Sequence, residues 1–235
     1  MGGLRGSGLA RRPGPHRPAG RPAIGYFDDS NRDLKYAEYN GSGWDLTTVD
    51  SAGEVGGNPS LAFNPAGHPA ISYYDISNSD LKYAEYNGSS WDTNTVDSAG
   101  NVGSHTSLAF SPAGYPAISY YKSTGYDLKY AEYNGSGWDL ITVDSDGTVG
   151  WYTSLVFSPS GRPAISYYDA SNFDLKYAEY TGTGWNLTTV DSIDNVGYNT
   201  SLAISPSGRP AISYYDASND DLKYAEVKSV IITGP

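Results

Sequence analysis

Apolar and aromatic residues fall in short runs along this chain, separated by clusters of Gly, Pro, Asn, Asp and Ser, and nowhere gather at the 3.6-residue period of an amphipathic helix. The pattern predicts strands joined by tight turns. Four runs recur in order, in the second copy "SLAF" (Ser60–Phe63), "PAISYYD" (Pro69–Asp75), "LKYAEY" (Leu81–Tyr86) and "WDTNTVD" (Trp91–Asp97). The links within a copy ("NPAG", "ISNS", "NGSS") are short and carry hairpin residues, whereas the link to the next copy ("SAGNVGSHT") is longer.

The repeat length is constant. Leu34, Leu81, Leu128, Leu175 and Leu222 are each 47 residues apart, as are Trp44, Trp91, Trp138 and Trp185. A four-strand meander of this length, followed by a longer crossing, is the signature of a β-propeller blade. The first two runs are nearly continuous in apolar residues, as strands covered on both faces should be, while the third and fourth carry Lys, Glu and Asp. The first run is therefore expected innermost and the fourth outermost, its Trp covering the outer edge. In each Tyr pair, such as Tyr73 and Tyr74, alternation sends one ring to each neighbouring blade, so packing explains the pairs.

The expected fold is all-β: a five-bladed propeller over residues 18–235, preceded by a disordered segment, residues 1–17. The second and third runs occur five times and the first and fourth only four times, with "SVIITGP" in place of the fifth outer strand. A ring closed by that tail is the leading expectation and an incompletely closed array the competing one. The register begins abruptly at "PAGRPAI", as a truncated array or a misread start would produce.

Composition narrows the chemistry. The absence of Cys removes disulfides, thiolate metal sites and a Cys nucleophile. From Pro22 onward 10 basic residues face 26 acidic ones, a balance of 10 − 26 = −16 that repels phosphate backbones and argues against nucleic acid. No apolar run approaches the roughly 18 residues of a membrane helix, so the chain reads as soluble, without membrane insertion.

Each copy also carries a "P-x-G" turn after its inner run (Pro65 and Gly67, Pro112 and Gly114, Pro159 and Gly161, Pro206 and Gly208), an aromatic second strand and a Trp-led outer strand. In these features the chain resembles the five-bladed lectin propellers of the tachylectin type. It also resembles bacterial repeat proteins carrying "ISYYD" and "LKYA". The first resemblance implies amino-sugar binding with one site per blade. That family's Gly-Trp before the inner strand is matched at Gly150 and Trp151, and the other copies depart from it.

In a propeller, the links between copies and those between second and third runs open on one face. That face collects 18 of the 26 acids, against only Arg32 and Lys122. The opposite face carries Arg21, His68, Tyr115, Arg162 and Arg209. The positions that vary most between copies fall on the acidic face: Arg32, Ser79, Tyr126, Phe173 and Asp220 at the turn tips, with Gly57 and Asn58, Ser104 and His105, Trp151 and Tyr152, and Tyr198 and Asn199 in the long links. Aromatic faces beside carboxylates suit sugar rings. The candidate ligand-binding residues are Tyr126, Phe173, Trp151, Tyr152 and Tyr198 with Asp80, Asp174 and Asp221; drift at exposed loops is the competing reading.

The motif "D-x-S-N-x-D" places oxygen ligands on one loop, as calcium requires, with Asp75, Asn78, Asp80, Asp169, Asn172 and Asp174 as candidate ligands. Turn capping by the same side chains is the simpler account, and the third copy breaks the motif with Lys122 and Gly125. No other cofactor is expected. "NGS" at Asn40, Asn87 and Asn134 is explained by the hairpin turn.

Catalysis needs different residues converging in one place. Candidates that break the repeat are few, and His68 and His105 are expected on opposite faces. The sequence therefore reads as a non-catalytic, lectin-like module with glycans as partners, in an extracellular or cell-surface setting. A structural or protein-interaction propeller, part of a larger surface protein with a protein partner, is the alternative. Oligomeric state is open at this level.

Overall fold

The computed structural model describes residues 20–226, so the expectations for residues 1–17 and for the "SVIITGP" tail lie outside the described residues. The first sheet comprises β1 (Ala23–Asp28), β2 (Asp33–Tyr39) and β3 (Trp44–Asp50). The second comprises β4 (Val55–Phe63), β5 (Pro69–Asp75), β6 (Asp80–Tyr86) and β7 (Trp91–Asp97). The third comprises β8 (Val102–Phe110), β9 (Pro116–Lys122), β10 (Asp127–Tyr133) and β11 (Trp138–Asp144). The fourth comprises β12 (Val149–Phe157), β13 (Pro163–Asp169), β14 (Asp174–Tyr180) and β15 (Trp185–Asp191). The fifth comprises β16 (Val196–Ile204), β17 (Pro210–Asp216) and β18 (Asp221–Glu226). Each sheet is an antiparallel meander, so the described residues form an all-β propeller array of 47-residue units, with no helix long and apolar enough to cross a membrane.

The sheets stack in series, each against the next, and among the described residues the fifth does not close on the first. Alternation determines what each boundary buries. On the second sheet, Ile71 and Tyr73 face back to Leu34 and Tyr36 of the first, while Leu81 and Tyr83 face forward to Val102, Ile118 and Tyr120 of the third. Within the Tyr pair, the Tyr73 hydroxyl donates back to Asp50 of the first sheet and the Tyr74 hydroxyl forward to Asn101, just before the third sheet, which is the expected division; boundaries between sheets are the core.

Buried hydrogen bonds tie the same boundaries. Asp50 ends β3, and its Oδ2 accepts from the Tyr73 hydroxyl at 2.7 Å and from Lys82, both in the second sheet. Asp144 repeats this with Tyr167 and Lys176, at 2.7 and 2.6 Å. Burial pushes these carboxyls up, but the combined Lys, Tyr and backbone N–H donors hold Asp50 and Asp144 below the usual aspartate value.

Two expectations need correction. The inner strand is nine residues long, Val55–Phe63 in the second sheet, because the last part of the long link is strand rather than loop. It escaped the sequence pattern because bulges interrupt alternation: Gly56 and Asn58 have φ of 105° and 46°, and the register shifts on either side of Gly57. The outer-strand Trp does not cover the outer edge of its own sheet. Trp91, Trp138 and Trp185 turn toward the preceding sheet and meet Tyr36, Tyr83 and Tyr130 edge-on at 5.3, 5.4 and 5.2 Å.

Candidate functional site

The turn between second and third strands is built by its first residue. In the second sheet Asp75 Oδ1 accepts from the Asn78 backbone N–H and Oδ2 from Asn78 Nδ2, each at 3.0 Å. Asp169 and Asn172 repeat the arrangement at 3.1 and 3.0 Å. Lys82 lies 3.9 Å from Asp75 and Lys176 3.8 Å from Asp169. Donors thus surround the first carboxylate of each motif, which describes an Asx-capped turn. Among the described residues, no group of three or more His, Asp or Glu side chains is arranged to hold a metal.

The last residue of the turn is left-handed in all five copies: Arg32, Ser79, Tyr126, Phe173 and Asp220 have φ between 57° and 68°. Its carbonyl accepts from the first N–H of the next inner strand, Tyr126 from Val149 at 2.9 Å and Phe173 from Val196 at 3.0 Å. Each variable tip is thereby fastened beside the bulged start of the next sheet's inner strand, so the two variable sets meet at sheet boundaries on one face. Tyr126 and Phe173 leave their rings about half exposed there, at 56% and 51%.

The bulges gather the remaining rings. Trp151 stands opposite Tyr168 in register and meets the Tyr121 ring edge-on at 5.9 Å. His105 stacks on Trp151 at 5.9 Å and meets Tyr152 at 4.7 Å. Tyr152 lies 5.4 Å from Tyr198, which lies 4.3 Å from Tyr168. The Tyr168 hydroxyl donates to Asn195 Oδ1 at 2.8 Å and lies within hydrogen-bond distance of the Tyr198 hydroxyl, at 3.2 Å. These six rings form a continuous aromatic belt across the third, fourth and fifth sheets.

The belt's electrostatics follow from burial. His105 is pushed down to about 4 by desolvation, so it is neutral at pH 7. Burial raises the Tyr121 phenol, and nearby Tyr126 and Asp127 add to that push. The buried Trp151 Nε1–H lies close enough to Tyr121 to counter part of it, without reaching hydrogen-bond geometry.

Of the residues singled out by sequence, Trp151, Tyr152 and Tyr198 are brought together, with Tyr126 and Phe173 on the turns above. Asp80 and Asp174 lie at the starts of β6 and β14. Each starts its strand opposite the turn-capping Asp75 or Asp169, and burial and that neighbouring carboxylate raise its pKa. Asp221 pairs likewise with Asp216. Sequence reasoning missed Tyr121 and Tyr168, treated as packing alone, and His105, assigned to no site. Alternation could have found the first two, since the second Tyr of each pair faces the boundary where the next sheet's variable residues arrive.

The earlier two boundaries are lined differently. At the first, Arg32 is ion-paired with Glu54 across it, and Gly57 supplies no ring. At the second, the Tyr74 hydroxyl donates to Asn101 at 3.1 Å and Ser104 stands where Trp151 does in the fourth sheet.

No protein-family profile matches the sequence, and no curated protein matches it. Solved structures do. A protein of unknown function from Dyadobacter fermentans is 10% identical, with TM-score 0.59, over 83% of this chain and 63% of that one. The SapL1 lectin in complex with alpha methyl fucoside is 12% identical, with TM-score 0.58, over 89% and 82%. A mutant Aleuria aurantia lectin in complex with Fucα1-6GlcNAc is 18% identical, with TM-score 0.58, over 91% and 76%. An enzyme, the Hadza microbial sialidase Hz136, also shares the fold at 11% identity and TM-score 0.55. At these identities the shared property is the fold, and the chain is a tandem-repeat β-propeller array built like the SapL1 and Aleuria aurantia lectins.

Proposed function

We propose that this chain is a non-catalytic carbohydrate-binding module whose sites lie at the boundaries between the third and fourth and the fourth and fifth sheets. The observation that carries this reading is the aromatic belt of His105, Tyr121, Trp151, Tyr152, Tyr168 and Tyr198 beneath the half-exposed Tyr126 and Phe173. A sugar ring stacks its apolar C–H face on such rings, while its hydroxyls exchange hydrogen bonds with phenols, amides and carboxylates at the margin. The acidic surroundings favour a neutral, hydroxyl-rich ligand over an anionic one.

The reading departs from one equivalent site per blade. The ion pair of Arg32 and Glu54 occupies the first boundary and polar residues line the second, so two ring-lined sites per chain are proposed. A site with a dissociation constant near about 1 mM supplies about 4 kcal/mol. Two on a glycan-coated surface gain roughly 100-fold to 10,000-fold in avidity.

The fold likeness to two lectins with bound fucosides makes methyl α-fucoside the first monosaccharide probe, within a broad glycan array. Array binding competed by free sugar and abolished by a Trp151→Ala, Tyr198→Ala double variant is the expected result. Silence across the array, with and without added calcium, would instead favour the structural or protein-interaction reading.

A further inference from the structure

The two ends of the array expose what every internal boundary buries. Leu34, Leu81, Leu128 and Leu175 are fully buried by the following sheet, whereas the equivalent Leu222 in the fifth sheet is 84% exposed. On the opposite side, Ile71, Ile118, Ile165 and Ile212 are fully buried by the preceding sheet, whereas the equivalent Ile24 in the first is 50% exposed. Leu46, on the same side of the first sheet, is 66% exposed.

We propose that these faces are the two halves of an interface between copies of this chain, which associate head to tail, the first sheet of one copy seated on the fifth sheet of another. The internal boundaries supply the template. Leu34 and Tyr36 of the first sheet pack with Ile71, Tyr73 and Ala84 of the second. Leu175 and Tyr177 of the fourth pack with Ile212 and Tyr214 of the fifth. The register that seats Ile71 beside Leu34 seats Ile24 of one copy beside Leu222 of another, because each residue is displaced by whole 47-residue units.

A second copy is the occupant because its first sheet carries, at Ile24 and Tyr26, the residue types that every internal boundary seats on the preceding sheet, and Ile24 is left exposed among the described residues. One 47-residue unit before Val55–Phe63 the sequence reads "GLARRPGPH" and lacks the apolar residues of "VGGNPSLAF". Because the two faces differ, the contact is heterologous, and it propagates into a ring or an open chain of copies.

Sedimentation velocity on the full chain from about 1 µM to about 200 µM tests this. The wild type is expected to associate with rising concentration, and Leu222→Glu or Ile24→Glu alone to weaken association by more than about 30-fold, since either buries an unpaired charge. The decisive arm mixes the two variants. Each keeps one intact face, so together they form a 1:1 pair that neither forms alone. Leu46→Glu, at an exposed position, replaces Ile24→Glu if the latter does not fold by circular dichroism. A wild type that stays monomeric throughout, association that survives both substitutions, or a mixture that forms no pair would each overturn the proposal.

Discussion

The Tyr73 hydroxyl donates at 2.7 Å to the Asp50 carboxylate across the boundary between the first and second sheets, and three further copies of this bond, Tyr120 to Asp97, Tyr167 to Asp144 and Tyr214 to Asp191, have the same length. In three of the four, a lysine (Lys82, Lys176 or Lys223) shares the aspartate. The third sheet differs: Lys122 stands where the others have a turn-capping Asp, and Lys129 bonds Thr142 at 3.3 Å.

Removing the phenol should therefore cost more where no lysine remains. Tyr120→Phe leaves a buried carboxylate short of donors and is expected to lose about 2–3 kcal/mol, whereas Tyr73→Phe, with Lys82 still on Asp50, should lose about 1–2 kcal/mol. Lys122→Asp restores the repeat's pattern and should gain roughly 0.5–1 kcal/mol by drawing Lys129 to the cluster. Urea denaturation measures all three, and equal losses for the two Tyr variants would refute the assigned role of the lysine.

Gly150 opens the bulge that delivers Trp151. Its φ is 102°, and a Cβ there would lie 2.8 Å from the Leu128 Cα in the preceding sheet. Both backbone conformation and space exclude a side chain, and the opposing atom is main chain, which cannot swing aside. Gly150→Ala is expected to destabilise by about 2–4 kcal/mol and to displace Trp151. Thermal melting reads the first effect and tryptophan fluorescence the second; a melting curve like the wild type's would show that the boundary is looser than drawn.

The belt also makes stability depend on pH in a defined window. Folding lowers the His105 pKa from its ordinary 6.5 to about 4, so the unfolded chain binds the proton more readily. The contribution is fully present above about pH 6.5 and is lost as pH falls toward 4, by up to about 3 kcal/mol. Asp50 and Asp144, held low in the fold by Lys and Tyr donors, add a second loss as pH falls below the unfolded value of about 3.9. Stability measured from pH 8 to pH 4 should therefore decline in the wild type and flatten in His105→Gln. A decline unchanged by that substitution would assign the effect to other groups.

Much of this architecture was legible in the sequence because the constraint repeats. A leucine every 47 residues and a seven-residue run, "PAISYYD", dominated by apolar and aromatic residues define strands, and comparing copies separates scaffold from variable letters. What the pattern hides is local backbone geometry. Positive φ at Asn58, His105, Tyr152 and Asn199 lets a stretch that reads as loop run on as strand, and that bulge turns Trp151 toward Tyr121 and Tyr168. The acids were harder to place. Asp80 and Asp174 share a sequence neighbourhood with the rings, but strand pairing directs them to Asp75 and Asp169.

Phe173 gives the sharpest separation of stability from function. It adopts φ 64°, a region costly for a side chain with a Cβ, and its ring is half exposed, so the fold gains little from it. Glycine relieves the strain of roughly 1–2 kcal/mol but returns part of it as unfolded-chain entropy, so Phe173→Gly should range from neutral to about 1 kcal/mol more stable. If the ring is kept for a ligand, the same substitution weakens glycan binding by about 3-fold to 30-fold, as loss of one stacking surface does. Paired thermal melts and array titrations of Phe173→Gly and Tyr126→Gly test this directly. A variant that binds as the wild type does would reduce the turn tips to exposed drift, and one that is destabilised by more than about 1 kcal/mol would show that the rings serve packing.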